Sequence, residues 1–107
     1  MASALRRVLV TGLSGFVGGH ISRMQRELAE RFQCEILPDQ TFDLCDHGSV
    51  DQLIADTKPD WVIHLAAQSN VPEAFNNPEK TININLLGTL HLLQALDKSN
   101  FKGRLLY

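Results

Sequence analysis

The sequence predicts an α/β fold, a parallel sheet with helices on both faces, and three observations carry that reading. Four short apolar runs alternate with three longer amphipathic ones, in the order strand, helix, strand, helix, strand, helix, strand. That alternation implies parallel pairing through right-handed crossovers. A glycine turn joins the first apolar run to the first amphipathic one. The run Trp61-Val62-Ile63-His64-Leu65-Ala66-Ala67 is nearly continuous in apolar character, which suits a strand covered on both faces.

The first strand is Val8-Leu9-Val10-Thr11, and it runs into Gly12-Leu13-Ser14-Gly15-Phe16-Val17-Gly18. Glycines at 12, 15 and 18 let the backbone turn tightly and approach a ligand with no Cβ in the way. They also aim the first amides of the next helix outward, and those amides favour an anion. A dinucleotide pyrophosphate is the usual occupant of such a strand–turn–helix. The competing reading is a turn that merely closes a strand onto a helix. The apolar run before it and the amphipathic run after it favour the dinucleotide.

The first helix is expected over residues 16–32, with Val17, Ile21, Met24, Leu28 and Phe32 as one apolar stripe. Arg23, Arg26, Glu27, Glu30 and Arg31 take the solvated faces. Cys34-Glu35-Ile36-Leu37 is a short strand stopped by Pro38, which has no ladder donor. A parallel crossover needs a dozen or more residues, so residues 41–44 are either a plain extended segment or the trace of a lost element. The extended segment is expected. Ser49-Val50-Asp51-Gln52 matches a capping box, with Asp46 as a competing cap. The helix it opens carries Val50, Leu53 and Ile54 and ends before Lys58-Pro59-Asp60. Asn77-Pro78-Glu79 is a strong helix start, a cap followed by proline and an acid. That helix should reach about residue 98, with Ile82, Leu86, Leu90 and Leu93 along one face. Gly103-Arg104-Leu105-Leu106-Tyr107 begins a last strand. A last strand at the terminus would expose an unpaired edge. The chain therefore reads as the N-terminal strands of a longer domain, an incomplete sheet expected to fold poorly alone.

Composition narrows the function. The chain has 107 residues, 44% hydrophobic and 21% charged, ordinary for one globular domain. A formal net charge of −2 argues against a nucleic-acid surface that neutralises many phosphates. No apolar run is long enough to span a bilayer, and Met1-Ala2-Ser3-Ala4-Leu5-Arg6-Arg7 has no signal-peptide core. Cys34 and Cys45 read as two free thiols in a reducing cytoplasm rather than a disulfide or metal pair.

Four blocks in order, Thr11-Gly12-Leu13-Ser14-Gly15-Phe16-Val17-Gly18, Asp43-Leu44, His64-Leu65-Ala66-Ala67 and Asn85-Leu86-Leu87-Gly88-Thr89, resemble the extended short-chain dehydrogenase/reductases. These are the NAD-dependent epimerases and dehydratases of nucleotide-sugar metabolism. Ala66-Ala67-Gln68-Ser69 and Val71-Pro72-Glu73-Ala74-Phe75 look most like the family's GDP-sugar reductases. The resemblance implies a Rossmann-like, NAD(P)-binding domain in which Gly12, Leu13, Ser14, Gly15, Phe16, Val17 and Gly18 cradle the pyrophosphate. It also implies that Asp43 accepts from the adenine amino group beside the Leu44 backbone, a role a carboxylate suits. By residue type alone, Asp43 more simply caps a turn. Leu65, Ala66 and Ala67 are implied at the ribose and nicotinamide, against plain strand packing as the alternative. Asn85 is implied to hold backbone geometry near the active site, against an indifferent helical polar residue.

Gln68, Ser69 and Val71 leave the carboxyl end of a strand, where ligands sit in open α/β sheets, and are candidate substrate residues or an ordinary surface loop. Asp39 is the candidate acid for the ribose hydroxyls, and no Lys or Arg lies between Phe32 and Lys58. That leans toward NAD, while Pro38 can turn Asp39 away; the resemblance allows NAD or NADP. It further implies a nucleotide-sugar substrate, a GDP-sugar first, and allows a homodimer. The implied reaction is NAD(P)-dependent reduction of a 4-keto-6-deoxy GDP-sugar. The alternatives are another nucleotide-sugar dehydratase or epimerase, or a non-catalytic dinucleotide-binding module. The family's Tyr-x-x-x-Lys pair has no match, since Tyr107 is the only tyrosine. No catalytic residue and no metal ligand is assigned, and His64 reads as strand packing.

Overall fold

Val8, Leu9, Val10 and Thr11 are the buried end of β1 (Arg6–Thr11), around which a four-stranded sheet is ordered β2-β1-β3-β4. The partners are β2 (Cys34–Ile36), β3 (Trp61–His64) and β4 (Arg104–Leu106), all parallel. The computed structural model describes residues 5–107; the four residues before Leu5, part of the stretch read for a signal peptide, lie outside the described residues. The chain divides into two units. Among the described residues, the first holds residues 5–40, 57–65 and 102–107, and the second residues 41–56 and 66–101.

In the first unit, β1 pairs with β2 from Arg6↔Cys34 to Val8↔Ile36, and with β3 from Val8↔Trp61 to Thr11↔His64. Strand order therefore reverses between β1 and β3, which is the topological switch point of an open α/β sheet. Val8, Val10 and Cys34 form a buried cluster, with Leu13, Ile21, Ile36, Trp61, Ile63 and Leu65 packed against it. Arg7 ties the start of β1 to the turn before β3. Its amide donates to Asp60 Oδ2 at 2.8 Å and its Nε to the Thr57 carbonyl at 2.9 Å.

The helix expected over residues 16–32 is two helices, α1 (Phe16–Arg23) and α2 (Gln25–Phe32). Met24 separates them at φ −97° and ψ 5°, its amide shared between the carbonyls of His20 and Ile21. This tightened turn rotates α2 out of phase with α1, so the expected stripe does not continue. Ile21 packs on the core, whereas Val17, Met24 and Phe32 stay about half exposed. Residues 41–44 join no strand, in line with the extended reading.

The strand expected over residues 61–67 ends at His64, because β1 ends at its partner Thr11. One further bond is made beyond it, from the Leu65 amide to the Thr11 carbonyl at 3.0 Å.

The second unit is helical: α3 (His47–Thr57), α4 (Val71–Asn76), α5 (Pro78–Ile82), a π-helical turn (Asn83–Leu87) and α6 (Gly88–Lys98). Asp46, not Ser49, caps α3: its Oδ1 accepts from the Gly48 and Ser49 amides at 3.0 and 3.4 Å. The Ser49 hydroxyl instead accepts from the Asp43 amide at 2.9 Å, so the capping box is not formed. The Asn77 side chain caps α5 as expected, accepting from the Lys80 amide.

The expected face of Ile82, Leu86, Leu90 and Leu93 is exposed, and Gly88, Leu92, Ala95 and Leu96 are buried instead. The helix is apolar on two sides, so periodicity alone does not choose between them. Gly88 does: a Cβ there would lie 2.6–2.7 Å from the buried Leu44 side chain, a spacing only glycine allows. His91 Nδ1 lies 3.0 Å from the Leu44 carbonyl on the same side.

Candidate functional site

The glycine turn comes directly after β1. Gly12 has φ 79°, a left-handed conformation that glycine adopts without Cβ strain. The turn closes with the Gly15 amide donating to the Gly12 carbonyl at 3.0 Å. Gly18 is buried, and a Cβ on it would stand 2.5 Å from Leu13 Cα and closer still to the Gly12 carbonyl oxygen. Its bare Cα is what lets α1 seat against the turn. Gly15 differs: it is exposed, and a Cβ there would meet only the Gly12 oxygen, at 3.3 Å.

Gly15 is also the N-cap of α1, with no side chain accepting from the first-turn amides and no acid in that turn. An uncapped helix start beside an exposed glycine is a cradle whose donors suit an anion. Ser14, Phe16 and Val17 are exposed around it, while Leu13 turns inward onto the core. Asp39 is exposed, three residues beyond β2. Leu65 lies one residue beyond β3, its amide shared between the carbonyl and Oγ1 of Thr11, at 3.0 and 3.1 Å.

Sequence alone gives Thr11 and His64 no shared role, and the structure joins them. Thr11 Oγ1 and His64 Nδ1 lie 2.6 Å apart, both buried, on the last register pair of β1 and β3. Tyr107 stacks on the imidazole at 5.9 Å between ring centroids. Burial pushes the His64 pKa down, favouring the neutral ring. Burial pushes the Cys34 thiol up, and Cys34 Sγ donates to the Leu28 carbonyl at 3.5 Å. Only the register between strands discloses the Thr11–His64 pair.

In the second unit, Asn85 sits within the π-helical turn and grips the main chain of Gln68 from both ends of its amide. Its Oδ1 accepts from the Gln68 amide at 2.7 Å, and its Nδ2 donates to the Gln68 carbonyl at 2.8 Å. The Gln68 side chain is itself engaged, donating to the Asn70 carbonyl at 3.0 Å and Thr81 Oγ1 at 3.2 Å, and accepting from the Asn70 amide at 2.7 Å. Ala66 is half-buried; Ala67 and Ser69 are exposed.

Val71 is the exposed first residue of α4, a helix that sequence reading missed. Its signal was present. Asn70 caps it, accepting from the Glu73 amide at 2.9 Å, with Pro72 and Glu73 in the first turn, a variant of the Asn77-Pro78-Glu79 signature with the proline one position later. Asp43 is exposed and its Oδ1 accepts from the Cys45 amide at 2.9 Å, so the carboxylate does serve a turn. Leu44 is buried. Among the described residues no group of His, Cys, Asp and Glu is arranged to hold a metal, and no helix is long and apolar enough to cross a membrane.

Residues 8–107 match the NAD dependent epimerase/dehydratase family. The GDP-6-deoxy-D-mannose reductase of Pseudomonas aeruginosa is 48% identical over 103 residues, covering 95% of this chain and 33% of that protein. The structure of RMD from Pseudomonas aeruginosa complexed with NADPH superposes with a TM-score of 0.79 at 47% identity, covering 100% of this chain and 35% of that one. The Thermus thermophilus UDP-glucose 4-epimerase complex with NAD gives 0.75 at 31% identity, covering 92% and 36%. The chain thus spans about a third of the length of the curated relatives it matches. A parallel, Rossmann-like sheet of order β2-β1-β3-β4, a glycine turn on its central strand and this sequence identity have one common account: the chain belongs to the NAD dependent epimerase/dehydratase family.

Proposed function

We propose that the chain is the cofactor-binding portion of an NAD(P)-dependent GDP-sugar reductase, one that reduces a 4-keto-6-deoxy GDP-sugar and so forms GDP-D-rhamnose. The observation that carries this reading is the uncapped start of α1 beside Gly12 and Gly15, set in a chain 48% identical to a GDP-6-deoxy-D-mannose reductase. The amides of the turn bind the pyrophosphate, and Gly18 keeps α1 close enough to present them. Asp39 takes the ribose hydroxyls, and Asp43 with the Leu44 backbone takes the adenine edge. Leu65, Ala66 and Ala67 line the path toward the nicotinamide because their small or main-chain profile permits close approach. Asn85 fixes the Gln68 main chain, which sets where Gln68, Ser69 and Val71 meet the sugar. The nicotinamide, when bound, supplies the hydride.

The residues fit either NAD or NADP. Self-association of the intact protein is part of the same reading, supported by the exposed row Ile82, Leu86, Leu90 and Leu93. Sedimentation should then show a dimer that Leu90→Glu weakens. The reaction is tested by mixing the intact protein with GDP-4-keto-6-deoxy-D-mannose and NADPH or NADH. Consumption of reduced nicotinamide with one equivalent of GDP-D-rhamnose formed is expected. Cofactor binding without turnover of any keto sugar would leave the reading as a binding module.

A further inference from the structure

The end of the β1–β3 ladder is closed by side chains where the main-chain ladder stops. Thr11↔His64 is the last register pair, and beyond it both strands leave the sheet, β1 into Gly12 and β3 into Leu65. Thr11 Oγ1 lies 2.6 Å from His64 Nδ1 and 3.1 Å from the Leu65 amide, whose hydrogen also faces the Thr11 carbonyl at 3.0 Å. One threonine hydroxyl thus joins the last residue of β1 to both His64 and Leu65 on the neighbouring chain segment. Both side chains are buried, at 0% and 5% exposure, so water does not replace the bond if one partner is removed. The Tyr107 ring lies over the imidazole at 5.9 Å between centroids.

The residues just past each strand end give this clamp its consequence. Gly12 is the left-handed residue that opens the glycine turn, and its carbonyl is the acceptor that closes the turn through Gly15. Any change in the backbone torsions of Thr11 or Gly12 moves that carbonyl and, with it, the acceptor of the Gly15 amide at the start of α1. We infer that His64 and Thr11 are positioning residues for the dinucleotide: their hydrogen bond holds Gly12 and Leu65 in the arrangement that binds it. This rests on the dinucleotide reading above. A small ligand-facing displacement is costly because oriented donors bind an anion well only when their geometry is set beforehand.

The test is calorimetric titration of the intact protein with NADP⁺ and with NAD⁺, alongside urea unfolding of each variant. Thr11→Val and His64→Leu should each raise the Kd by about tenfold, and the double variant should fall well short of the product of the two, since both remove the Thr11–His64 bond while Thr11→Val also removes the bond from the Leu65 amide. Thr11→Ser and His64→Asn, which keep a hydroxyl and a polar group within reach, should stay within about threefold of the parent. A parent-like Kd in folded Thr11→Val and His64→Leu, with only the urea midpoint lowered, would overturn the inference, as would effects that simply add in the double variant. If His64→Leu does not fold, Thr11→Val against Thr11→Ser decides by the same criteria. Failure of the parent protein to bind either nucleotide would instead overturn the dinucleotide reading, and the positioning role with it.

Discussion

Gly18 and Gly19 are adjacent in α1, and the structure predicts opposite outcomes when each becomes alanine. A Cβ on Gly18 would stand 2.5 and 2.6 Å from the Leu13 Cα and carbonyl carbon, and closer still to the Gly12 carbonyl oxygen. All three are main-chain atoms, so no side chain can swing aside; α1 must lift or the turn must open. Overpacking of this kind costs about 1–3 kcal/mol or more, and only about 1 kcal/mol returns through the better helix propensity of alanine. Because the clash is with three main-chain atoms the cost sits at or above the top of that range, so a net loss of at least about 2 kcal/mol is expected for Gly18→Ala. A Cβ on Gly19 meets nothing nearer than Arg23 Nη1 at 3.6 Å, ordinary contact with a flexible side chain. Gly19→Ala should therefore stabilise by roughly 0.5–1 kcal/mol. Urea midpoints of the two variants in the intact protein measure the difference directly, and NADP⁺ titration should show weakened binding only for Gly18→Ala. Equal midpoints for the two would refute the view that Gly18 is a packing requirement of the turn.

The same geometry sets the outcome at three other positions. Asn85→Asp keeps an acceptor for the Gln68 amide but turns the donor facing the Gln68 carbonyl into a repelling oxygen, so stability should fall by about 1–3 kcal/mol, read from unfolding midpoints. Asp43→Asn preserves the turn bond to the Cys45 amide, whereas Asp43→Ala removes it. If Asp43 also serves the adenine, both weaken nucleotide binding, Asp43→Ala by about 1–3 kcal/mol, and only the alanine variant loses stability; binding unchanged in both would confine Asp43 to its turn. For His64, burial lowers the folded pKa below the ordinary 6.5, so the unfolded chain binds the extra proton. Its contribution to stability is complete above 6.5 and is lost as pH falls below that value. The drop in urea midpoint between about pH 7.5 and about pH 5 should be smaller in His64→Asn than in the parent, and an identical drop would contradict it.

The elements whose ends carry a local chemical signal were legible in the sequence. Asn77-Pro78-Glu79 marked a true helix start, and the apolar run at 61–67 a strand that the structure ends at His64. Residues 41–44 stayed out of the sheet for the reason their length implied. Features that depended on partners distant in the chain were not legible. The buried face of α6 was decided by Gly88 against Leu44, and the stripe of residues 82, 86, 90 and 93, equally apolar, stayed outside. The cap of α3 fell to Asp46 because the Ser49 hydroxyl was engaged with Asp43. The break at Met24 has no helix-breaking residue to announce it. For the site, the glycines announced themselves through spacing, whereas the Thr11–His64 pair exists only once strand register is known.

Gly15→Leu tests the central claim most directly. Gly15 is exposed and a Cβ there would meet one main-chain atom, the Gly12 oxygen at 3.3 Å, a contact the turn must ease by a few tenths of an ångström, far less than the shift Gly18 would demand, and the added side chain would crowd the start of α1. In the intact protein, calorimetry should show NADP⁺ or NAD⁺ binding by the parent and a loss of at least about tenfold in Gly15→Leu, with the urea midpoint little changed. Undiminished affinity in a folded Gly15→Leu protein would contradict the placement of the pyrophosphate at this turn.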